Sequence, residues 1–232
     1  RLASEGADVV LNYFRNRAPA EETAAAICAL GRRVHVVRAD VGQPDDLTRL
    51  VDEAAEALGG LDILIHNAAS GYNRPVMEQR VKGWDWTLNI NARAALFLAQ
   101  RAAPILAERG GGAIVNVSSI GAQRVLPEYV VVGASKAALE ALTRYLAVEL
   151  APLRIVVNAV SAGMVRTDAL QHFPGMREHF EERFAYALAH TPAGRVLEPD
   201  DVAGVVAFLC SPDAFMIRGQ TILIDGGASL GF

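Results

Sequence analysis

Leu61-Asp62-Ile63-Leu64-Ile65 and Ala113-Ile114-Val115-Asn116-Val117 are two short apolar segments that flank a helical pattern from about Trp84 to Glu108. Apolar runs of this length predict strands that are buried on both faces. Parallel neighbours in a sheet need a crossover connection, usually a helix, which then covers one face of the sheet. The stretch from residue 61 to residue 117 therefore predicts a strand–helix–strand unit of a parallel sheet.

The same alternation continues on both sides of this unit. Further strands are predicted at residues 8–12, 33–37, 155–160 and 220–224, and further helices at 19–30, 45–58, 133–150 and 199–209. Strands separated by helices in this way are typical of a doubly wound α/β fold. Because no Ser/Gly-rich linker or change of composition divides the chain, we expect one domain over residues 1–232.

The composition excludes several classes of function. Hydrophobic residues make up 52% of the 232 residues, which is too many for a disordered chain. The net charge of −4 and the lack of basic runs argue against a nucleic-acid partner. No apolar run approaches the roughly 18 residues of a membrane span, so we expect no membrane partner. Cys28 and Cys210 form neither a disulfide framework nor a C-x-x-C motif, which is typical of the reducing cytoplasm.

The residues that follow the predicted strands are small or polar. In doubly wound sheets the ligand binds outside the carboxyl ends of the strands. Here those ends carry Asn12-Tyr13-Phe14-Arg15, Ala39-Asp40-Val41, His66-Asn67-Ala68-Ala69-Ser70-Gly71, Ser118-Ser119-Ile120-Gly121 and Ser161-Ala162-Gly163-Met164-Val165-Arg166-Thr167. This edge of the sheet is therefore predicted to line a cofactor cleft.

Other residues complete a set that is known from a protein family. They are Asn91 in the long helix, Tyr129, Lys136, and the segments Ile217-Arg218-Gly219-Gln220-Thr221 and Ile224-Asp225-Gly226-Gly227. In order and spacing the set resembles the short-chain dehydrogenase/reductase family over the whole chain. The resemblance implies a Rossmann-type fold and an NAD(P)-dependent oxidoreductase that acts on a small molecule.

The start of the chain departs from the family pattern. Family members open with a strand and a glycine-rich turn, T-G-x-x-x-G-x-G, whose backbone N–H groups hold the cofactor pyrophosphate. This chain begins on Arg1-Leu2-Ala3-Ser4-Glu5-Gly6, which is typical of the end of a helix. We therefore expect that the first strand and the glycine-rich turn, roughly 20 to 25 residues, are missing from this sequence.

The tyrosine also departs from the commonest family pattern, Y-x-x-x-K. Position 132 is Val132, and the nearest tyrosine is Tyr129, seven residues before Lys136. A helix returns to nearly the same face after seven residues, so Tyr129 can point into the same cleft about 4 to 5 Å further along the axis. The spacing Y-x6-K resembles that of enoyl-acyl-carrier-protein reductases, which reduce a carbon–carbon double bond.

Longer motifs narrow the resemblance. They are Asn67-Ala68-Ala69-Ser70-Gly71, Arg74-Pro75-Val76-Met77-Glu78, Trp84-Asp85-Trp86-Thr87, the segment from Val132 to Tyr145, and Thr191-Pro192-Ala193-Gly194-Arg195. Together they are similar to the NADPH-dependent enoyl-acyl-carrier-protein reductase III type of bacterial fatty acid synthesis. This similarity implies a trans-2-enoyl thioester as substrate, carried on acyl carrier protein or coenzyme A. It also implies a homo-oligomer, a tetramer or a dimer, formed through the helices of Asn91 and Lys136.

The family assigns catalytic roles to four positions. Tyr129 is expected to donate a hydrogen bond or a proton to the enolate oxygen, and Lys136 to lower the pKa of that tyrosine and to contact the nicotinamide ribose. Ser119 occupies the position of the catalytic serine. There its hydroxyl bonds either the substrate carbonyl or a backbone group of its own turn. Asn91 matches the asparagine that holds a proton-relay water in ketone-reducing relatives, and it can equally bond a neighbouring carbonyl.

Cofactor choice depends on the end of the first strand in this sequence. Asn12 stands there in place of the acidic residue of NAD-preferring relatives, and Arg15 follows three residues later. A neutral residue with a nearby guanidinium favours the 2′-phosphate of NADPH. The resemblance implies further cofactor contacts from Asp40, Val41, Asn67, Ala68, Lys136, Gly163 and Thr167.

Residues 168–195 are expected to form a substrate lid, because they mix Phe173, Met176, Phe180 and Phe184 with charged residues; an amphipathic surface helix fits the same spacing. His172, Glu178 and His179 in this stretch do not match a known ligand set, so we expect no metal. His35, His66 and His190 are interpreted as structural residues.

Two other functions fit the same sequence. One is reduction of a 3-oxoacyl thioester or another ketone, with the tyrosine displaced. The other is a non-catalytic sensor or scaffold that binds a dinucleotide, which is suggested by Val132 at the usual tyrosine position.

Overall fold

Strands and helices alternate along residues 1–167 and 180–230, which are the residues that this computed structural model describes, without the side chains of Phe180 and Arg183. The strands are β1 Val9–Tyr13, β2 Val34–Arg38, β3 Ile63–His66, β4 Gly112–Ser119, β5 Ile155–Ala162 and β6 Thr221–Ile224. The helices are α1 Arg17–Ala29, α2 Pro44–Leu58, α3 Val81–Leu88, α4 Ala94–Glu108, α5 Val130–Glu149, α6 Phe180–Ala189 and α7 Pro199–Leu209. A π-helical turn, Asn89–Arg93, joins α3 to α4.

The predicted doubly wound fold is confirmed, and every strand pair is parallel. Successive residues of β4 face opposite sides of the sheet. Ile114 belongs to a core cluster with residues of α2, α4 and α5, whereas Val115 packs with residues of α7. Helices therefore cover both faces of the strands β3 to β6, as the continuous apolar strands predict.

The start of α5 lies earlier than predicted. The sequence suggested a helix from about Gly133, but the helix begins at Val130 and Tyr129 is its N-cap. Gly133 is needed for packing inside the helix, because a Cβ at this position would lie 2.7 Å from the carbonyl oxygen of Gly121. The glycine thus marks a close approach of two backbones and not a helix boundary.

The sheet is divided into two parts. One part has the order β1-β2 and the other has the order β3-β4-β5-β6. A cavity of about 650 Å³ lies between the parts and is lined by residues of both, among them Val10 of β1 and Leu64 of β3. None of the described helices combines the length and the apolar character needed to cross a membrane.

Candidate active site

The end of β4 and the start of α5 bring Ser119 and Tyr129 together. Ser119 is the last residue of β4, and the Tyr129 hydroxyl lies 3.4 Å from its Oγ. The tyrosine ring packs on Gly121, where a Cβ would lie 2.5 Å from a ring carbon. The backbone before the tyrosine is held by a hydrogen bond from the Arg74 N–H to the carbonyl of Glu128, a residue with a positive φ of 59°. These contacts aim the phenol of Tyr129 at the end of the strand.

Val132 has a packing role, unlike the tyrosine that usually occupies this position in the family. Its side chain is 5% exposed and packs on Gly71, where a Cβ would overlap Cγ2 of Val132. Position 132 therefore presses α5 against the segment that follows β3. The phenol that reaches Ser119 is supplied by Tyr129, one turn earlier.

Lys136 is buried at the end of β4. Its Nζ donates a hydrogen bond of 2.6 Å to the carbonyl oxygen of Val117, two residues before Ser119. Burial lowers the pKa of Lys136 to about 8. An ammonium group at this point provides positive charge next to the strand end.

The pKa of Tyr129 shifts in the opposite direction from the one that the sequence predicted. Burial raises it, and the hydrogen bond with Ser119 offsets only part of this effect. Lys136 does not contribute to this shift, and its ammonium donates to the carbonyl of Val117. The phenol consequently keeps its proton at neutral pH, and it can act as a donor.

Asn91 lies in the π-helical turn and joins two parts of the site. Its Oδ1 accepts a hydrogen bond from the N–H of Ser70 at 2.8 Å. Its Nδ2 donates to the carbonyl of Ser70 and to Oγ of Ser135, both at 2.9 Å. The side chain thus bonds its neighbours, which was one of its two predicted roles. Its backbone carbonyl faces Nε2 of His66 at 3.3 Å. The role of Asn91 in holding a relay water stays a prediction.

Arg15 lies exposed beyond the end of β1. Its guanidinium stacks over the rings of Phe14 and Trp86, at 5.6 and 5.7 Å. The amide of Asn12 donates to the carbonyls of Val37 and Ala39 and so joins the ends of β1 and β2. An exposed cation at a strand end fits the phosphate of an adenosine moiety, and the residues present are therefore compatible with a dinucleotide.

Other predicted cofactor residues are placed less directly. Val41 is buried in the core, and Ala68 packs against the same core. The Asp40 carboxylate is buried and accepts the N–H of Gly42. Asn67 is exposed at the end of β3, and the N–H of Gly163 donates to the carbonyl of Ile224. Thr167 is the last described residue before residue 168. The cofactor contacts of these residues stay predictions.

Glu140 is a buried residue of the site that the sequence analysis missed. Its two carboxylate oxygens accept hydrogen bonds from Oγ of Ser118 at 2.8 Å and from Nε2 of Gln123 at 3.0 Å. A glutamate within a helix is usually solvated, so the residue type alone does not indicate burial. Its position four residues after Lys136 was the available signal, because residues so spaced share one helix face.

An open cleft lies beside the tyrosine. Its volume is about 530 Å³, and Val76, Val125, Leu126, Val130 and Ala134 line it together with Tyr129. The walls are mainly apolar, which suits a hydrocarbon chain.

The predicted lid is described only in part. Residues 168–179, which include Phe173, Met176 and the histidines considered above, lie outside the described residues. Residues 180–189 form α6, where the guanidinium of Arg166 stacks 5.4 Å from the ring of Phe184.

We predict that Glu140→Leu lowers the free energy of unfolding by about 2 kcal/mol, because it leaves the buried hydroxyl of Ser118 and the exposed amide of Gln123 without their acceptor. Glu140→Gln is the matched control, since it keeps an oxygen acceptor for Ser118, and it should lose about half as much. Urea denaturation measures both values. An equal loss of unfolding free energy in the two variants would contradict the role of Glu140 as the acceptor for Ser118.

Comparison with known proteins agrees with this geometry. The family model described as "Enoyl-(Acyl carrier protein) reductase" matches residues 1–229. The hydroxynaphthalene reductase-like protein Arp2 of Metarhizium majus (strain ARSEF 297) is 37% identical over 98% of this chain and 87% of that protein.

Two solved structures share the fold. A putative short-chain alcohol dehydrogenase from Sinorhizobium meliloti 1021 has a TM-score of 0.92 and 37% identity, over 100% of this chain and 90% of that one. A 7α-hydroxysteroid dehydrogenase complexed with NADH and 7-oxo glycochenodeoxycholic acid has a TM-score of 0.89 and 32% identity, over 97% of this chain and 86% of that one. The chain belongs to the short-chain dehydrogenase/reductase family of NAD(P)-dependent oxidoreductases.

Proposed function

We propose that this enzyme uses NADPH to reduce the double bond of trans-2-enoyl thioesters, as an enoyl-acyl-carrier-protein reductase of fatty acid synthesis. The observation that carries the proposal is the position of Tyr129. Its phenol meets Ser119 from the N-cap of α5, while the position one turn closer to Lys136 is filled by the buried side chain of Val132. The description of the matching family model supports the same chemistry.

The displaced phenol suits a conjugated substrate. NADPH, when bound, supplies the hydride that is transferred to the β-carbon of the enoyl group. Negative charge would then move to the thioester oxygen, which is separated from the β-carbon by two carbon atoms, and a proton from water would finally be added at the α-carbon. The raised pKa of Tyr129 keeps its hydroxyl protonated, so that it stabilises this oxygen as a donor. The buried ammonium of Lys136 adds positive charge nearby.

The apolar cleft beside Tyr129 is the proposed site of the acyl chain. Its open side leaves room for the thiol carrier, acyl carrier protein or a smaller acyl thioester. The exposed side chains of Phe97 on α4 and of Val148 on α5 support a homo-oligomer, a dimer or a tetramer, formed through these helices.

Ketone reduction, including that of 3-oxoacyl thioesters, is the second candidate. It is favoured by the 3.4 Å separation of the hydroxyls of Ser119 and Tyr129, because two such donors can bind one carbonyl oxygen. The 7-oxo steroid named for the related dehydrogenase is a ketone as well.

Offered crotonyl and acetoacetyl thioesters side by side, the full-length protein should oxidise NADPH faster with the crotonyl substrate. Tyr129→Phe should lower kcat by about 100-fold or more, since it removes the acid. Tyr145→Phe is the control, because Tyr145 lies on the same helix and is 70% exposed. Preference for acetoacetyl thioester would favour ketone reduction, and no turnover of either substrate would favour a binding role.

For the cofactor, Arg15→Ala should raise the KM for NADPH by about 10- to 100-fold and leave the KM for NADH nearly unchanged, because only NADPH carries the 2′-phosphate. Arg17→Ala is the matched control, since Arg17 is exposed but paired with Glu21. An equal change in the KM values for NADPH and NADH would show that Arg15 does not bind the 2′-phosphate.

Activity should also depend on the charge of Lys136. Because its pKa is lowered to about 8, the ammonium loses its proton as the pH rises through that value. We expect kcat/KM to fall above about pH 8. Lys136→Arg keeps a positive charge at these pH values, so its residual activity should lack this alkaline fall. If kcat/KM of the variant falls at alkaline pH as it does in the unchanged protein, the fall is caused by the titration of another group.

A further inference from the structure

His66 and Asn116 form a pair of buried polar residues away from Ser119 and Tyr129. His66 is the last residue of β3, and Asn116 is its partner in the parallel register with β4. Each is 1% exposed. Because partners in neighbouring strands project from the same face of a sheet, their side chains lie next to each other.

The contacts of His66 fix its protonation. Its Nε2 faces the carbonyl oxygen of Asn91, which can only accept, so Nε2 carries the hydrogen. Burial and the nearby charge of Lys136 lower the pKa of the imidazole to about 4, so the ring is neutral at physiological pH. Its Nδ1 is consequently a pure acceptor. This atom is buried and has no hydrogen-bond partner among residues 1–167 and 180–230.

The contacts of Asn116 fix the orientation of its amide. The Thr143 hydroxyl donates to the carbonyl of Leu139 at 2.9 Å, so it can only accept from Asn116. The Nδ2 of Asn116 makes this contact at 2.9 Å. Oδ1 of Asn116 is left as a second buried acceptor, again without a partner in the described part of the chain.

Two acceptors cannot satisfy each other, but both can be satisfied by the two hydrogens of one molecule. Nδ1 and Oδ1 are each bonded to the Cγ of their side chain, and adjacent strands lie about 4.8 Å apart. Partner side chains on strands with this separation can be bridged by one water. We propose that a buried water molecule donates one hydrogen bond to Nδ1 of His66 and one to Oδ1 of Asn116.

Thr87 is the donor that completes the site. It is fully buried near the end of α3, which leads directly into the π-helical turn that carries Asn91. Its hydroxyl has no partner in the described ranges. Donation from Thr87 to the oxygen of the water gives three hydrogen bonds, the usual number for an internal water. The bridge ties the end of β3, which leads to Asn67, to β4, and it does not depend on the proposed reaction.

A high-resolution crystal structure of the full-length protein tests the proposal. We expect an ordered water about 2.7–3.2 Å from both Nδ1 of His66 and Oδ1 of Asn116. Asn116→Leu should lose this water, and Thr87→Val should retain it with weaker order. Density that shows either acceptor bonded to a protein atom, or no water between them, would overturn the proposal.

NMR of ¹⁵N-labelled histidine provides a second test that needs no variant of the pair to fold. The imidazole of His66 should carry its proton on Nε2 from about pH 6 to pH 9, because its pKa lies well below this range. His190→Gln, a change at an exposed histidine, checks the assignment of the spectrum. A proton on Nδ1 would exclude the bridge, since this atom would then be a donor.

Discussion

The site depends on the packing of one polar face of α5 against consecutive residues of β4. Lys136, Glu140 and Thr143 lie on this face and bond, in turn, the carbonyl of Val117, the hydroxyl of Ser118 and the amide of Asn116. The contacts are buried, so each lost bond would leave a polar group without solvent. A shift of α5 along the strand by one turn would break all three contacts at once. They therefore fix where the helix begins relative to the end of β4.

This register determines which residues can react together. Tyr129 precedes the helix, Ser119 ends the strand, and the fixed alignment of the two elements places their hydroxyls 3.4 Å apart. Val132 presses the same helix against Gly71, and Asn91 bonds both Ser70 and Ser135. The segment after β3 is thus attached to α5 by an apolar contact and by a polar one. These contacts fix the positions of the two elements that border the cleft.

The doubly wound fold could be predicted from the sequence, because the periodicity of strands and helices depends on local patterns. The family resemblance pointed to Ser119 and Tyr129, but their 3.4 Å contact is a finding of the structure. What could not be predicted depends on distant neighbours. Glu140 reads as a surface residue until Ser118 and Gln123 are seen to bond it. The pKa of Tyr129 rises because its ring is buried, a property that a motif does not contain. Val41 is part of the buried core, and its predicted contact with the cofactor stays a prediction.

The central claim is that Tyr129, displaced by one turn, and Ser119 together bind the oxygen on which negative charge develops. A crystal structure of the full-length protein with NADP⁺ and an unreactive enoyl thioester analogue tests it most directly. The account predicts that the thioester oxygen lies within about 3.2 Å of the Tyr129 hydroxyl, with the acyl chain in the apolar cleft. An oxygen bound away from Tyr129, or a chain that leaves the cleft empty, would contradict it.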